Sequence, residues 1–379
     1  MLKVGVIGYG SRINDVLHTA KSLGDIKLVA VADKDLSEEK KSFIEKNDHI
    51  GVKYYSSAED MLTCESLDGV FIGTRCSSHT EYMLLCAKYA LPTFLEKPVC
   101  TTEDDLARLK SIEGMNDKVV VSFPLRYSDL VTYVKKLIDS GKIGRVQHIE
   151  AINNVPYGRV YYHKWYRDEN ETGGLFLQKS THDLDYINYI IGDRRPVSVC
   201  AISSKQIFKG DKPAGMLCAD CNETATCPES PQNVKTYGDN YPIGPYCCFA
   251  KDTGNQESGS VLVSYDDGMH VCYTQNFITR NGAARRGAII VGYLGTIEFD
   301  FYTGQVKFFH HTDGNIETLD IKSTGLHHGG DGILAKNFID VMENKDVSHA
   351  TLKDGILSAE LCLAAKRSAR DRVFVNIEN

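Results

Sequence analysis

The sequence predicts two domains: a parallel, doubly wound α/β domain over residues 1–123, then an α+β domain of mostly antiparallel strands over residues 124–379. Three observations carry this. The 379 residues exceed what one hydrophobic core usually holds. Short apolar runs alternate with helical stretches through the first third of the chain, the rhythm of a parallel sheet with crossover helices. Beyond residue 124 polar and apolar residues alternate instead, the pattern of strands with one wet face.

In order, residues 2–7 (LKVGVI) make a buried strand closed by the turn Gly8-Tyr9-Gly10. Residues 13–23 make a helix with Val16, Leu17, Ala20 and Leu23 on one face. Residues 27–32 (KLVAVA) give a second strand, ending at Asp33, and residues 37–46 a charged helix. A strand over 68–74, a helix over 79–90, a short strand within PTFLEKP and a strand over 118–123 complete the first domain. In the second, a helix near 128–140 precedes the strand that begins in GKIGRVQHIEAINN. VLVSYDD, HVCYTQNF, AIIVGYLGTIEFDF and QVKFFHH supply antiparallel strands, and helices near 331–344 and 354–369 close the chain. Residues 207–260, bearing Gly, Pro, Asn and Cys with weak periodicity, are expected to form an insertion.

Composition narrows the function. A net charge of −7 with no long basic run argues against nucleic acid and anionic membranes as partners. No apolar run reaches the roughly 18–20 residues that span a bilayer. The opening apolar stretch is short and broken by glycines, unlike a secretory signal, so a cytoplasmic protein is expected. Scattered cysteines such as Cys64, Cys86 and Cys362 are then expected as free thiols.

Residues 8–13 read Gly-Tyr-Gly-Ser-Arg-Ile between a strand and a helix. In a dinucleotide-binding turn the first glycine permits the tight bend, and the second lets backbone approach a pyrophosphate. The following helix then offers free N–H groups and its positive dipole end. Gly8, Tyr9, Gly10, Ser11, Arg12 and Ile13 are therefore cofactor-binding candidates. Ile13 stands where a third glycine is usual, which should alter how closely the helix packs on the sheet. Asp33 ends the second strand, where a carboxylate accepts hydrogen bonds from the ribose hydroxyls of NAD and repels a 2′-phosphate. Lys34 follows it and leaves NADP open.

Residues 95–98 read Leu-Glu-Lys-Pro after an apolar strand. With the glycine turn, Asp33, the segment from Gly73-Thr74 to His79, Gly173-Gly174 followed by His182, and His-Gly-Gly-Asp at 328–331, the chain resembles the Gfo/Idh/MocA (glucose–fructose oxidoreductase, inositol dehydrogenase, rhizopine catabolism) family along nearly its whole length. The resemblance implies a Rossmann domain, a second domain with a large open sheet that often serves oligomerisation, a nicotinamide cofactor, and a sugar, glycoside or polyol substrate. A homodimer or homotetramer is expected on the same ground. It implies that Lys97 lies between nicotinamide and substrate, where an ammonium stabilises oxygen as hydride leaves. It also implies cofactor contacts for Arg12, Thr74, His79 and Glu96.

The family's catalytic histidine follows a glycine pair, and His182 matches it. Imidazole suits removal of a hydroxyl proton because its pKa lies near working pH. The family often has an aspartate four residues earlier; here that position is Gln178, and Lys179 stands three before His182. If the segment is helical, Lys179, His182 and Asp185 share a face, and Lys179 is expected to bind a substrate hydroxyl or tune the histidine. Residues 156–167 are rich in aromatic and basic side chains, and His163, Tyr166 and Arg167 are candidate sugar contacts.

Cys218, Cys221 and Cys227, with Cys248 rather than its neighbour Cys247 as fourth ligand, have spacings at which thiolates form a tetrahedral structural zinc site that would pin the insertion; free thiols or a disulfide are the other readings. The expected activity is hydride transfer between nicotinamide and a hydroxyl-bearing carbon of a sugar, glycoside or inositol. A redox-neutral NAD-dependent glycosidase or lyase acting through a transient keto-sugar would use the same residues. A regulator that binds NAD without turnover would lack the proton-transfer groups that Lys97 and His182 supply.

Overall fold

The computed structural model describes residues 1–47, 50–156, 160–234, 244–322 and 326–377. They form two compact units: Met1–Val131 with Leu184–Tyr186 and Ser323–Glu360, and Thr132–Asp183 with Ile187–Lys322 and Leu361–Asn379.

The first unit alternates strand and helix: β1 (Leu2–Ile7), α1 (Ser11–Leu23), β2 (Ile26–Ala32), α2 (Glu38–Lys46), β3 (Lys53–Tyr55), α3 (Ala58–Cys64), β4 (Gly69–Ile72), α4 (His79–Lys88), β5 (Thr93–Leu95), α5 (Glu103–Lys110) and β6 (Val119–Val121). The six strands are parallel, in the order β3-β2-β1-β4-β5-β6. The order reverses between β1 and β4, so the loops after these two strands flank the crevice where open α/β sheets bind ligands. The turn at Gly8 follows β1, and Gly73-Thr74 follows β4.

In this unit the expected and observed elements agree to within a few residues. β3, α3 and α5 were not legible, because 3-residue and 8-residue elements hold too few apolar positions to show a period. A larger difference concerns the C-terminal stretch. The sequence placed all of 124–379 in the second domain, yet residues 323–360 cluster with the first. The reason is the apolar face of a late helix, Gly330–Met342: Leu334, Ala335, Phe338, Ile339 and Met342 join the core of Val4, Val6, Leu17, Val31, Phe71 and Phe94. Phe338 meets Phe71 edge-on, with centroids 4.9 Å apart.

The second unit holds α6 (Asp129–Asp139), β7 (Val146–Pro156), α7 (Val160–His163), α8 (Glu169–Thr172), a π-helical turn (Phe176–Ser180) running into α9 (Thr181–Ile191), then β8 (Pro196–Ser204), β9 (Ser258–Tyr265), β10 (His270–Thr279), β11 (Arg285–Gly292), β12 (Gly295–Asp300), β13 (Gln305–His310) and β14 (Ile316–Asp320). After α10 (Gly330–Met342), α11 (Leu352–Asp371) crosses from the first unit's residues into the second's, and β15 (Val375–Asn376) adds an edge strand. The nine-stranded sheet runs β14-β13-β12-β11-β7-β10-β9-β8-β15. Its pairs are antiparallel except β7 with β10. Alternate residues, such as Ile149, Ala151 and Asn153 on β7 and Val271, Tyr273 and Gln275 on β10, are buried on one face. Between β8 and β9 the described residues hold turns and two isolated bridges, Lys212 with Ala250 and Leu217 with Tyr246. No helix among the described residues is long and apolar enough to cross a membrane.

The missing third glycine of the turn is answered across the helix–sheet contact. A Cβ on Gly73 would lie 2.0 Å from Ile13 Cγ1. The bare backbone that a glycine usually supplies on the helix is here supplied by the loop after β4, and the isoleucine fills the space. Gly73→Ala should therefore cost about 2 kcal/mol of stability in urea unfolding, and adding Ile13→Ala should recover most of the loss. A Gly73→Ala protein as stable as the parent would show that this contact is not tight.

Candidate active site

In the first unit the glycine turn, the end of β2, the loop after β4 and the Glu-Lys-Pro turn converge at the C-terminal edge of the sheet. Gly8 has φ +78°, and a Cβ there would lie 2.5–2.7 Å from atoms of Thr74, so this position must be glycine. Gly10 differs: a Cβ on it would meet nothing within 4 Å. No packing among the described residues demands that glycine, and the space over it is open. The N-terminus of α1 has no side-chain cap and no acidic residue in its first turn, which leaves its N–H groups and dipole to an anion. The Tyr9 side chain turns inward, 1% exposed, and its hydroxyl donates to Asn14 Oδ1 at 2.8 Å. Only its backbone lines the turn.

Asp33 Oδ2 accepts from the Tyr9 N–H at 2.8 Å, and Lys40 Nζ stands 2.5 Å from the same oxygen. The cation at this carboxylate is thus Lys40, from α2, while Lys34 is exposed. The carboxylate is fixed beside the turn, as ribose recognition requires. This edge fits a dinucleotide: open space over Gly10, an uncapped helix end, and an oriented carboxylate.

Arg12 takes a different part from the one expected. Its Nε donates to Glu96 Oε1 at 3.0 Å, and its Nη2 donates to Asp331 Oδ1 at 2.6 Å and Ser122 Oγ at 3.0 Å. Its guanidinium and the Glu96 carboxylate are committed to each other rather than left free for a cofactor. Burial pushes the Asp331 carboxyl up, but hydrogen bonds from His327 and Arg12 outweigh it and hold the pKa at about 2. Asp331 was legible only as part of a family motif; no local spacing links it to residue 12.

His79 is likewise a positioning residue. It is 1% exposed, with Nδ1 2.7 Å from the Pro98 carbonyl and Nε2 3.2 Å from that of Thr74. Burial, which outweighs the hydrogen bonds to the two carbonyls, lowers its pKa. It ties the loop after β4 to the turn that carries Lys97. The Glu96 N–H donates to Ile72 O at 3.0 Å, and the Lys97–Pro98 peptide is cis. Lys97 itself is half-buried. Thr74, also half-buried, accepts from Ser78 Oγ at 2.8 Å through its hydroxyl.

In the second unit the segment bearing Lys179 and His182 is helical, but its first turn is a π-turn. Such turns displace side chains from the α-helical register and are frequent at functional sites. Lys179 lies 5.5 Å from the centroid of the Tyr161 ring. Burial, then repulsion from Arg286, bring its pKa down to about 8, against the pull of Asp183. His182 follows one turn later and is 9% exposed. Asp183 is fully buried and accepts from Asn153 Nδ2 at 2.8 Å, Tyr273 hydroxyl at 2.9 Å and Arg286 Nε at 2.8 Å. These bonds seat the segment on β7, β10 and β11. Asp185, in the Leu184–Tyr186 stretch that belongs to the first unit, is taken up by a buried pair with Arg126 of the same unit, whose Nε donates to Oδ2 at 3.0 Å. Arg126, which the sequence did not single out, also reaches Asp354 at 3.2 Å.

Two of the three expected sugar contacts serve the insertion instead. His163 is fully buried, with Nδ1 2.8 Å from the Tyr246 carbonyl. Arg167 is 3% exposed, pairs with Asp252 at 2.6 Å and lies over the Tyr246 ring. Both hold residues 244–255 in place. Tyr166 remains half-buried, stacked on Trp165 at 3.9 Å and edge-on to Tyr161. The sequence showed basic and aromatic density but not what would cover it.

Among the described residues the four expected zinc ligands do not close to within 4.8 Å of one another, although Cys221, Cys227 and Cys247 all lie near enough to Cys218 to act on its thiol. Cys248 packs among Tyr161, Tyr162, Leu175, Phe208 and Phe277, and burial pushes its thiol well up. Cys218 and Cys247 sit in a separate cluster with Ala250, while Cys221 and Cys227 are half-buried. Adjacent residues 247 and 248 point to different surroundings, and the neighbour chosen from sequence is the one that faces the aromatic core.

The fold and this edge define an NAD-binding Rossmann-fold oxidoreductase. The model for the oxidoreductase family, NAD-binding Rossmann fold, matches residues 2–123, and that for the GFO/IDH/MocA C-terminal domain matches residues 131–298. The chain belongs to the Gfo/Idh/MocA family. It is 25% identical to YteT of Bacillus subtilis (strain 168) over 318 residues, 74% of this chain and 73% of that protein. It is 30% identical to inositol 2-dehydrogenase of Rhizobium meliloti (strain 1021) over 220 residues, 56% of this chain and 62% of that one. The match thus spans less than two thirds of this inositol dehydrogenase. Among solved structures, levoglucosan dehydrogenase in complex with NADH and levoglucosan shares the fold with a TM-score of 0.77 at 17% identity, over 100% of both chains. Myo-inositol 2-dehydrogenase from Lactobacillus plantarum does so with a TM-score of 0.71 at 20% identity, over 100% of this chain and 99% of that one.

The Arg12 network gives a pH-dependent prediction. Because the Asp331 pKa is lowered in the folded chain, its contribution is present above pH 4 and is lost as pH falls toward about 2. Asp331→Asn should lose about 2 kcal/mol in urea unfolding at pH 7 and about half of that at pH 3. An equal loss at both pH values would remove the ion pair as the cause.

Proposed function

We propose that this chain is an NAD-dependent dehydrogenase acting on the CH–OH group of a sugar, glycoside or inositol. One observation carries the reading. A half-buried amine whose pKa is brought to about 8 stands one helical turn from an imidazole, in a chain whose first unit is shaped for a dinucleotide.

Gly8, Gly10, Ser11 and the N-terminus of α1 would hold the pyrophosphate, and Asp33 the adenosine ribose. When bound, the nicotinamide supplies the hydride acceptor. His182 removes the hydroxyl proton as general base. Lys97 is given the role of stabilising the charge that develops on the substrate oxygen. Lys179, as a cation, binds a neighbouring hydroxyl and orients the ring, and Tyr166 offers an aromatic face. Asp33 favours NAD over NADP, although Lys40 beside it leaves some use of NADP. The inositol and levoglucosan dehydrogenases among the similar proteins support a polyol substrate. A cytoplasmic site fits the free cysteines. A homodimer or homotetramer would cover the wet face of the nine-stranded sheet, where Ile202 and Leu262 are exposed.

A screen of sugars, inositols, glycosides and their keto forms with NAD and NADP, followed by nicotinamide absorbance, tests the reading. Net reduction with at least one polyol is expected, and none with any would reject it. With the active substrate, Lys97→Met should lower kcat by at least about 10²-fold while NADH still binds; a near-normal rate would end the role given to Lys97. Lys179 is a cation below pH 8 and an amine above it. An alkaline limb near pH 8 is therefore expected in kcat/KM and should vanish in Lys179→Met; a limb that persists would belong to another group.

A further inference from the structure

The wet face of the second unit's sheet carries a set of donors that dehydrogenase chemistry does not use. β7 and β10 run parallel, with His148 paired to His270 and Glu150 paired to Cys272. Residues two apart on a strand share a face, so these four side chains form a rectangle. Their face is the one opposite Ile149, Ala151, Val271 and Tyr273, which are buried. A ring nitrogen of each histidine and the sulfur of Cys272 lie within 4.8 Å of one another. Among the described residues, this is the set of His, Cys and carboxylate groups gathered closely enough to share an ion.

Two further observations point to a cation. His148 Nε2 is buried and has no hydrogen-bond partner, a condition that ordinarily costs free energy and calls for an explanation. The two imidazoles stack with centroids 4.4 Å apart, bringing two polar rings together rather than to separate partners. His148 Nδ1 stands 4.0 Å from Glu150 Oε1, so a carboxylate neighbours the three donors without lying within 4.8 Å of them all.

We propose that His148, His270 and Cys272 bind Zn²⁺, with Glu150 closing the fourth position. Two imidazoles and a thiolate suit this ion, whereas Ca²⁺ and Mg²⁺ take oxygen ligands. Bonds of roughly 2.0–2.3 Å to a tetrahedral ion set donor atoms roughly 3.3–3.8 Å apart. Closing the present spacing needs about 1 Å, within reach of side-chain torsions. On binding, Cys272 gives its proton to solvent and the sulfur lone pair to the metal. With four protein ligands the ion has no open position, so its role is structural. It clips the parallel pair in an otherwise antiparallel sheet, and parallel pairing is slightly the weaker per residue.

The test is a Co²⁺ titration of the whole protein after treatment with a chelator, read by absorbance. One equivalent should bind with a thiolate-to-cobalt charge-transfer band. Cys272→Ser should abolish the band. His270→Ala, an exposed position that folding does not need, should weaken binding by more than the roughly tenfold that even an outer-shell change costs. A Cys218→Ser, Cys221→Ser double variant should keep the band. No band in the parent, a band that survives Cys272→Ser, or one lost in the double variant would each overturn the assignment. Circular dichroism and the midpoint of thermal unfolding establish that each variant folds, and added Zn²⁺ should raise that midpoint in the parent but not in Cys272→Ser.

Discussion

The contacts of a single guanidinium organise the cofactor-binding edge. Arg12 opens α1, yet its partners come from the end of β5, the residue after β6, and the start of α10. An arginine stays charged at any working pH, and its planar fork of donors can meet several acceptors at once. Withdrawing it from water is offset only because Glu96 and Asp331 supply two carboxylates. The result is a brace across four distant pieces of chain. Glu96 is held on one side by Arg12, and Pro98 on the other by His79. Lys97 lies between these two fixed points, so the backbone that carries its amine is held from both sides.

The same edge shows how a motif can lose a residue and keep its physics. The helix usually approaches the sheet through a glycine of its own. Here Ile13 projects from α1, and Gly73 makes room for it from the opposite side. The departure was visible in the sequence as an irregular fingerprint. Its compensation was not, because nothing in the spacing of residues 13 and 73 marks them as neighbours. Gly10 is the complementary case: the protein itself leaves the space over it open.

Signals with a short period were legible. Alternation of strand and helix gave the parallel sheet, the turn at Gly8 gave its ligand-binding edge, and period-two alternation gave the second sheet with its wet and dry faces. What escaped depended on contacts between distant residues. The return of α10 to the first core rests on Phe338 meeting Phe71. His163 and Arg167 looked like sugar ligands until the insertion was seen to lie against them through Tyr246 and Asp252. Cys247 and Cys248 were told apart only by which one enters the aromatic cluster. Side-chain chemistry can be read along a chain, but its employment depends on what folds over it.

The account stands on hydride passing from a carbinol carbon to nicotinamide. The most direct measurement supplies NAD with inositols and sugars bearing deuterium on their carbinol carbons and weighs the nicotinamide that results. Reduced cofactor carrying one deuterium is the predicted result. Substrate consumed with no deuterium in the nicotinamide, or no reduced cofactor from any of the labelled polyols, would contradict it.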